Sequence, residues 1–164
     1  MVYKIRIILD AQEDIFRDIE IEADKSLEEL HNTITQSFGF IGDEMASFYT
    51  CDEQWNQQEE IALFDMEEFG SPARLMNATY LNDVMNEQQP KLLYIYDYMS
   101  LWTFFVELAD IVDKEDGHAY PNILFSFGEL PDSPPEKRFE ADPNFEVDDA
   151  SENYDDYNFD ENWN

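Results

Sequence analysis

Hydrophobic and polar positions alternate at the start of the chain. Tyr3, Ile5, Ile7 and Leu9 fall on one side and Lys4 and Arg6 on the other, the period of a strand with one buried face. Residues 15–22 repeat the pattern, with Ile15, Ile19 and Ile21 against Asp18, Glu20 and Glu22. The polar link DAQED (10–14) joins the two runs and predicts an antiparallel hairpin with Lys4 and Arg6 facing Asp18 and Glu20 across the strands. The period then changes to that of a helix. Leu27, Leu30, Ile34 and Phe38 share one face over 27–38. Ser26 is a good N-cap, Glu29 completes a capping box, Glu28 and Glu29 suit the positive end of the helix dipole, and Gly39 supplies the stop.

Beyond the helix, MASFYTC (45–51) predicts a strand, and residues 52–91 are the least legible. Within them, EIALF (60–64) has the look of a short strand. TYLNDVMNE (79–87) has the look of a short helix turning Leu81, Val84 and Met85 inward, ended by Pro90. KLLYIYDY (91–98) and LWTFFVELADIV (101–112) are rich in aromatic and β-branched residues. A tight turn at Met99 and Ser100 pairs them as a hairpin central to the sheet. DKEDGH (113–118) is a turn, and NILFSF (122–127) closes the sheet. A hairpin, one helix across its face and further strands in one sheet make an α+β, β-grasp-like arrangement for residues 1–130.

The composition shifts at Pro131. PDSPPEKRFEADP (131–143) holds four prolines and reads as an extended linker. From Glu140 onward there are ten acidic residues and no Lys or Arg, a composition that predicts disorder in isolation. Phe145, Tyr154, Tyr157, Phe159 and Trp163 are interleaved with those acids, and Tyr154, Tyr157, Phe159 and Trp163 mark a segment able to dock on its own domain or on a partner. Residues 131–164 therefore stand apart as linker and acidic-aromatic tail.

Charge narrows the function. The 39 acidic and 9 basic residues give a net charge of −30. Such a surface repels phosphate backbones and anionic lipid, so direct nucleic-acid binding and membrane binding are disfavoured and a basic protein partner is favoured. The aromatic content (Phe 13, Tyr 9, Trp 3) is ample for a core. The lone Cys51 allows no internal disulfide, no window resembles a leader or a membrane span, and the expected setting is cytoplasmic.

SLEELHNTITQSFGF (26–40), together with YKIRI at the start, IYDY at 95–98 and YPN at 120–122, resembles the plasmid pRi ORF-three-like family, also known as insertion-element passenger proteins. The resemblance spans residues 2–130, and Leu30, His31, Ile34, Phe38 and Gly39 are its most specific stretch. It implies an α+β domain of β-grasp-like form and no established activity, and the passenger name describes genomic neighbourhood. Against the family pattern, Phe40 stands where a Trp is usual, Glu44 and Ala46 where histidines are usual, Ser100 for an Asp and Phe104 for a His; a Cys-Pro-Pro-rich C-terminal stretch is missing. If those groups once bound a metal or moved protons, this chain has lost most of the set.

The remaining chemistry is sparse. His31, His118 and Cys51 have none of the close pairing of a zinc site, and no phosphate loop, GxSxG or HExxH occurs, so no metal or cofactor is expected. His31 reads as a helix-flank histidine bonded to a strand, against a ligand or proton carrier. His118 reads as a turn residue. Cys51 reads as a small buried strand residue, against a nucleophile paired with His31. Asp97 reads as a turn cap, against a buried acid of raised pKa. Asp148, Asp149, Asp155 and Asp156 match no EF-hand and offer a cation only weak binding. Three functions follow in order: a protein-interaction module; a nucleic-acid mimic occupying a DNA-binding protein; and a degenerate enzyme or metal-binding domain using His31, Glu44 and Asp97.

Overall fold

A computed structural model describes residues 1–65 and 74–135. One mixed sheet of eight strands runs β5-β4-β3-β6-β7-β1-β2-β8. Its strands are β1 (Val2–Leu9), β2 (Phe16–Glu22), β3 (Ala46–Cys51), β4 (Gln57–Ala62), β5 (Arg74–Leu75), β6 (Lys91–Tyr96), β7 (Trp102–Val112) and β8 (Asn122–Phe127). Among the described residues β4 and β5 pair in parallel and the other neighbours are antiparallel.

The first hairpin forms in the expected register, with Lys4 opposite Glu20 and Arg6 opposite Asp18. Arg6 meets Asp18 with a two-pronged ion pair, Nε–Oδ1 2.8 Å and Nη2–Oδ2 2.9 Å. Glu20 instead accepts from Asn122 Nδ2 of β8. Helix α1 (Leu27–Phe38) starts where Ser26 Oγ accepts from Glu29 N and ends at Gly39 in the left-handed region. Its stripe of Leu27, Leu30, Ile34 and Phe38 lies buried with Tyr3, Ile5, Ile7, Leu9 and Ile19 of the hairpin. Truncating one of these leucines to alanine costs about 2–5 kcal/mol.

The segment between β4 and β6 departs from expectation. Helix α2 is a single turn, Leu81–Val84, in place of a helix across 79–87. The first amides of that turn are claimed by the chain ahead of α1, Leu81 N by the carbonyl of Lys25 and Asn82 N by that of Ala23, so the turn is a tertiary brace. Leu81, Val84 and Met85 do point inward as expected. Strand β4 begins three residues before the apolar run that signals it, because Glu60 and Gln57 pair with Tyr49 and Cys51 of β3.

Among the described residues the helical elements lie on one face of the sheet: Tyr3 reaches across to donate its hydroxyl to the Met85 carbonyl at 2.8 Å. The opposite face carries Lys4, Arg6, Asp18 and Phe105, with Trp55 packed edge-on against Phe105 at 4.9 Å. The β6–β7 hairpin is central, as expected, and the turn between them sits at Asp97–Leu101. The coarse expectation of an α+β sheet with one main helix holds. Tyr154, Tyr157, Phe159 and Trp163 lie outside the described residues.

Candidate functional site

Three regions hold what chemistry the described residues have. The first is the buried layer under α1. Its helical period turns His31 toward β6, where Nδ1 lies 2.6 Å from the Tyr94 hydroxyl, and the ring is 2% exposed. Burial pushes the His31 pKa down to about 4, which keeps the imidazole neutral near pH 7. The same burial holds the Tyr94 hydroxyl protonated. Phe40 packs on Tyr96 at 4.5 Å and Trp102 at 5.2 Å, while Phe104 packs on Phe38 at 4.9 Å and Tyr94 at 5.8 Å. Ala46 is fully buried opposite Tyr96.

Three of the departures noted in the sequence fall into one place. Positions 40, 46 and 104 share the layer that holds His31, and this chain fills them with phenyl rings and a methyl group. The result is an apolar seal around one neutral histidine. Asp97 serves elsewhere: its φ is +69°, and its carboxylate accepts from the amides of Met99 (3.1 Å) and Ser100 (3.4 Å), capping the β6–β7 turn. Glu44 is an exposed residue of the loop before β3. His31 has Tyr94 and Tyr96 as ring neighbours and Asp97 has backbone amides, so neither residue is a partner of the other. Among the described residues no group of three or more His, Cys, Asp or Glu is placed to hold a metal ion. Cys51 is buried at the end of β3, its thiol pushed up to about 11 by desolvation with Asp52 adding to the rise. His118 lies in the turn before β8, 3.1 Å from Glu115.

The second region was not foreseen. On the face away from α1, Ser47 Oγ donates to Glu60 Oε2 at 2.8 Å and also meets the Tyr98 hydroxyl. Desolvation, with the Glu60 charge adding to it, raises the pKa of Tyr49 beside them. The available signal was register: Ser47 and Tyr49 share a face of β3, and Glu60 lies opposite Tyr49. Ser47 has no solvent-exposed surface, so the group acts as a polar rivet between β3, β4 and the β6–β7 turn.

The third region is the β8 edge. Ile123, Leu124, Phe125 and Phe127 are each 44–52% exposed on the outermost strand. Beside them is a concavity of about 400 Å³ lined by Lys4, Arg6, Asp18, Glu107, Leu108 and Leu124, among others.

Fold and site together define an acidic α+β domain with a sealed aromatic layer and an exposed apolar edge. The chain belongs to the family of plasmid pRiA4b ORF-3-like proteins, whose model matches residues 1–137. It is similar in structure to a protein of unknown function from Methanosarcina mazei Go1, with a TM-score of 0.68 at 20% identity over 76% of this chain and 68% of that one. That likeness shows the fold alone. No curated protein matches the sequence. Among the described residues no helix is long and apolar enough to cross a membrane.

Proposed function

We propose that this chain is an acidic protein-interaction module that captures a basic protein and carries out no reaction of its own. The observation that carries the reading is how the described cations are used. Arg6 is paired with Asp18, Lys25 and Lys114 with Glu22, and Arg74 with Glu59. Arg17 is buried against backbone carbonyls, and Lys91 lies on the Trp55 ring. These six cations are engaged within the chain, so they leave the acidic surplus behind the net charge of −30 largely unanswered. A field of that sign accelerates encounter with cationic surfaces and suppresses approach to nucleic acid and anionic lipid.

In this reading the binding domain covers residues 1–130, with the β1–β2 hairpin crossed by α1 as its β-grasp-like platform. Residues 131–164 add a linker and an acidic-aromatic tail, and the setting is cytoplasmic. Nucleic-acid mimicry is the special case in which the basic partner is a DNA-binding protein. The test is capture from a native lysate on the immobilised full chain. A defined basic protein, released by raising salt, is expected; recovery of nothing, or of partners indifferent to salt, overturns the reading. Displacement of the captured protein by duplex DNA identifies the mimic.

A further inference from the structure

The two ends of the sheet are built differently. Among the described residues one end of the sheet is β5, Arg74–Leu75, which carries the charge of Arg74. The β8 end is six residues long, NILFSF, with no charge and no proline, and every residue in it is exposed. Phe125 and Phe127 stack against Phe16 at 5.9 and 5.5 Å, and Arg6 lies over Phe16 at 4.2 Å, so the edge presents an ordered aromatic surface. It is also firmly held. Arg17 Nη1 donates to the carbonyls of Phe127 and Gly128. A firm, uncharged, apolar edge is a template for one more strand.

We propose that the edge of β8, unpaired among the described residues, takes an extended segment of another protein, apolar and rich in lysine or arginine, as a further strand. The inference rests on the interaction-module reading and names its surface and its mode of recognition. Charge selects among the occupants. A second copy would bring −30 against −30. The chain's own segment from 140 onward carries ten acidic residues and no Lys or Arg, so it too sets like charge on like. A cationic segment alone gains. Exposed acids flank the edge, Glu115 and Asp116 ahead of β8 and Glu129 and Asp132 after it, where they meet basic side chains projecting from the ends of an added strand. Backbone bonds along β8 would supply affinity, the aromatic row would receive the apolar side chains, and the flanking acids would set the sign.

The probe is a synthetic octapeptide alternating lysine with valine, added to the full chain while amide exchange is followed residue by residue. The β8 amides not bonded to β2 are expected to slow by roughly tenfold or more, and high salt is expected to reverse the effect. The glutamate-valine peptide and a lysine-valine peptide methylated on alternate amides are expected to do nothing. Phe125→Lys is expected to abolish the protection while the β1–β2 amides keep theirs. Peptide binding that leaves the β8 amides unchanged overturns the edge and leaves the acidic-module reading standing; no binding of either peptide, with a basic partner still captured from lysate, does the same. Protection already present without peptide overturns the proposal in favour of the tail if Tyr154, Tyr157, Phe159 and Trp163→Ser removes it, or of a second copy if it grows with protein concentration.

Discussion

Arg17 Nε donates to the carbonyl of Ser37 at 2.9 Å, which places a β2 cation at the C-terminal end of α1. The helix has no basic residue in its own last turn, so Arg17 supplies the charge that its dipole favours there. The same guanidinium stacks over Phe38 at 4.5 Å and donates to the carbonyls of Phe16, Phe127 and Gly128. One side chain therefore ties helix, hairpin and edge strand together. Arg17→Lys keeps the charge and loses the fork. It is expected to cost about 2–3 kcal/mol in urea unfolding and to accelerate exchange selectively over residues 122–128. Equal acceleration everywhere would show that Arg17 does not hold β8 in particular.

Two glycines separate backbone strain from steric strain. Gly39 has φ +85° and open space around a notional Cβ, so Gly39→Ala is expected to cost about 1 kcal/mol. Gly128 has φ +80°, and a Cβ there would meet the Asp14 carbonyl oxygen at 2.8 Å and Ile15 Cα at 3.1 Å. Gly128→Ala is expected to cost roughly 2–3 kcal/mol and to loosen the end of β8. Comparison of urea midpoints decides; equal losses would contradict the close approach at Gly128.

His31 makes stability depend on pH. Its folded pKa is about 4, below the unfolded value near 6.5. Between those values the unfolded chain binds the proton and the folded chain does not, so stability falls as pH falls through that window. The neutral-histidine contribution is complete above about pH 6.5 and amounts to about 3 kcal/mol lost by pH 4. His31→Leu is expected to be less stable at pH 7, since it leaves the Tyr94 hydroxyl unpaired, and to have a flatter stability profile between pH 6.5 and 4. Parallel profiles for wild type and variant would contradict the burial.

Cys51 is 3% exposed with its thiol near 11, so little thiolate forms at pH 8. Iodoacetamide is expected to label it at least roughly a hundredfold faster in denaturant than in buffer, as mass spectrometry reads it. Rapid labelling of the folded chain would place Cys51 in the accessible, reactive class.

The legible parts of the fold are those whose signals are local. Ser26, the Leu27–Leu30–Ile34–Phe38 spacing and Gly39 delimit α1 without outside help, and the alternation in 3–9 and 15–22 sets the hairpin register. Arg17 was not singled out: it is in phase with Ile15, Ile19 and Ile21 on the inward face, where an arginine interrupts the apolar pattern. Residues 57–62 and 79–87 resisted because their conformations answer to distant partners: β3 for the first, the carbonyls of Ala23 and Lys25 for the second. The apolar run of β8 carries no mark of its exposure, because strand order along the sheet is not written in any one strand. Of the candidate residues, His31 is bonded to a strand and Asp97 caps a turn, while the Ser47–Glu60–Tyr98 group is set by cross-strand register.

The most direct test of the acidic-module account is the affinity of the captured partner for the full chain measured across a salt series. Because the attraction is ionic and screened over about 10 Å at 0.1 M salt, the account predicts a steep, continuous fall in affinity from low to high ionic strength. An affinity that holds constant across the series would contradict it.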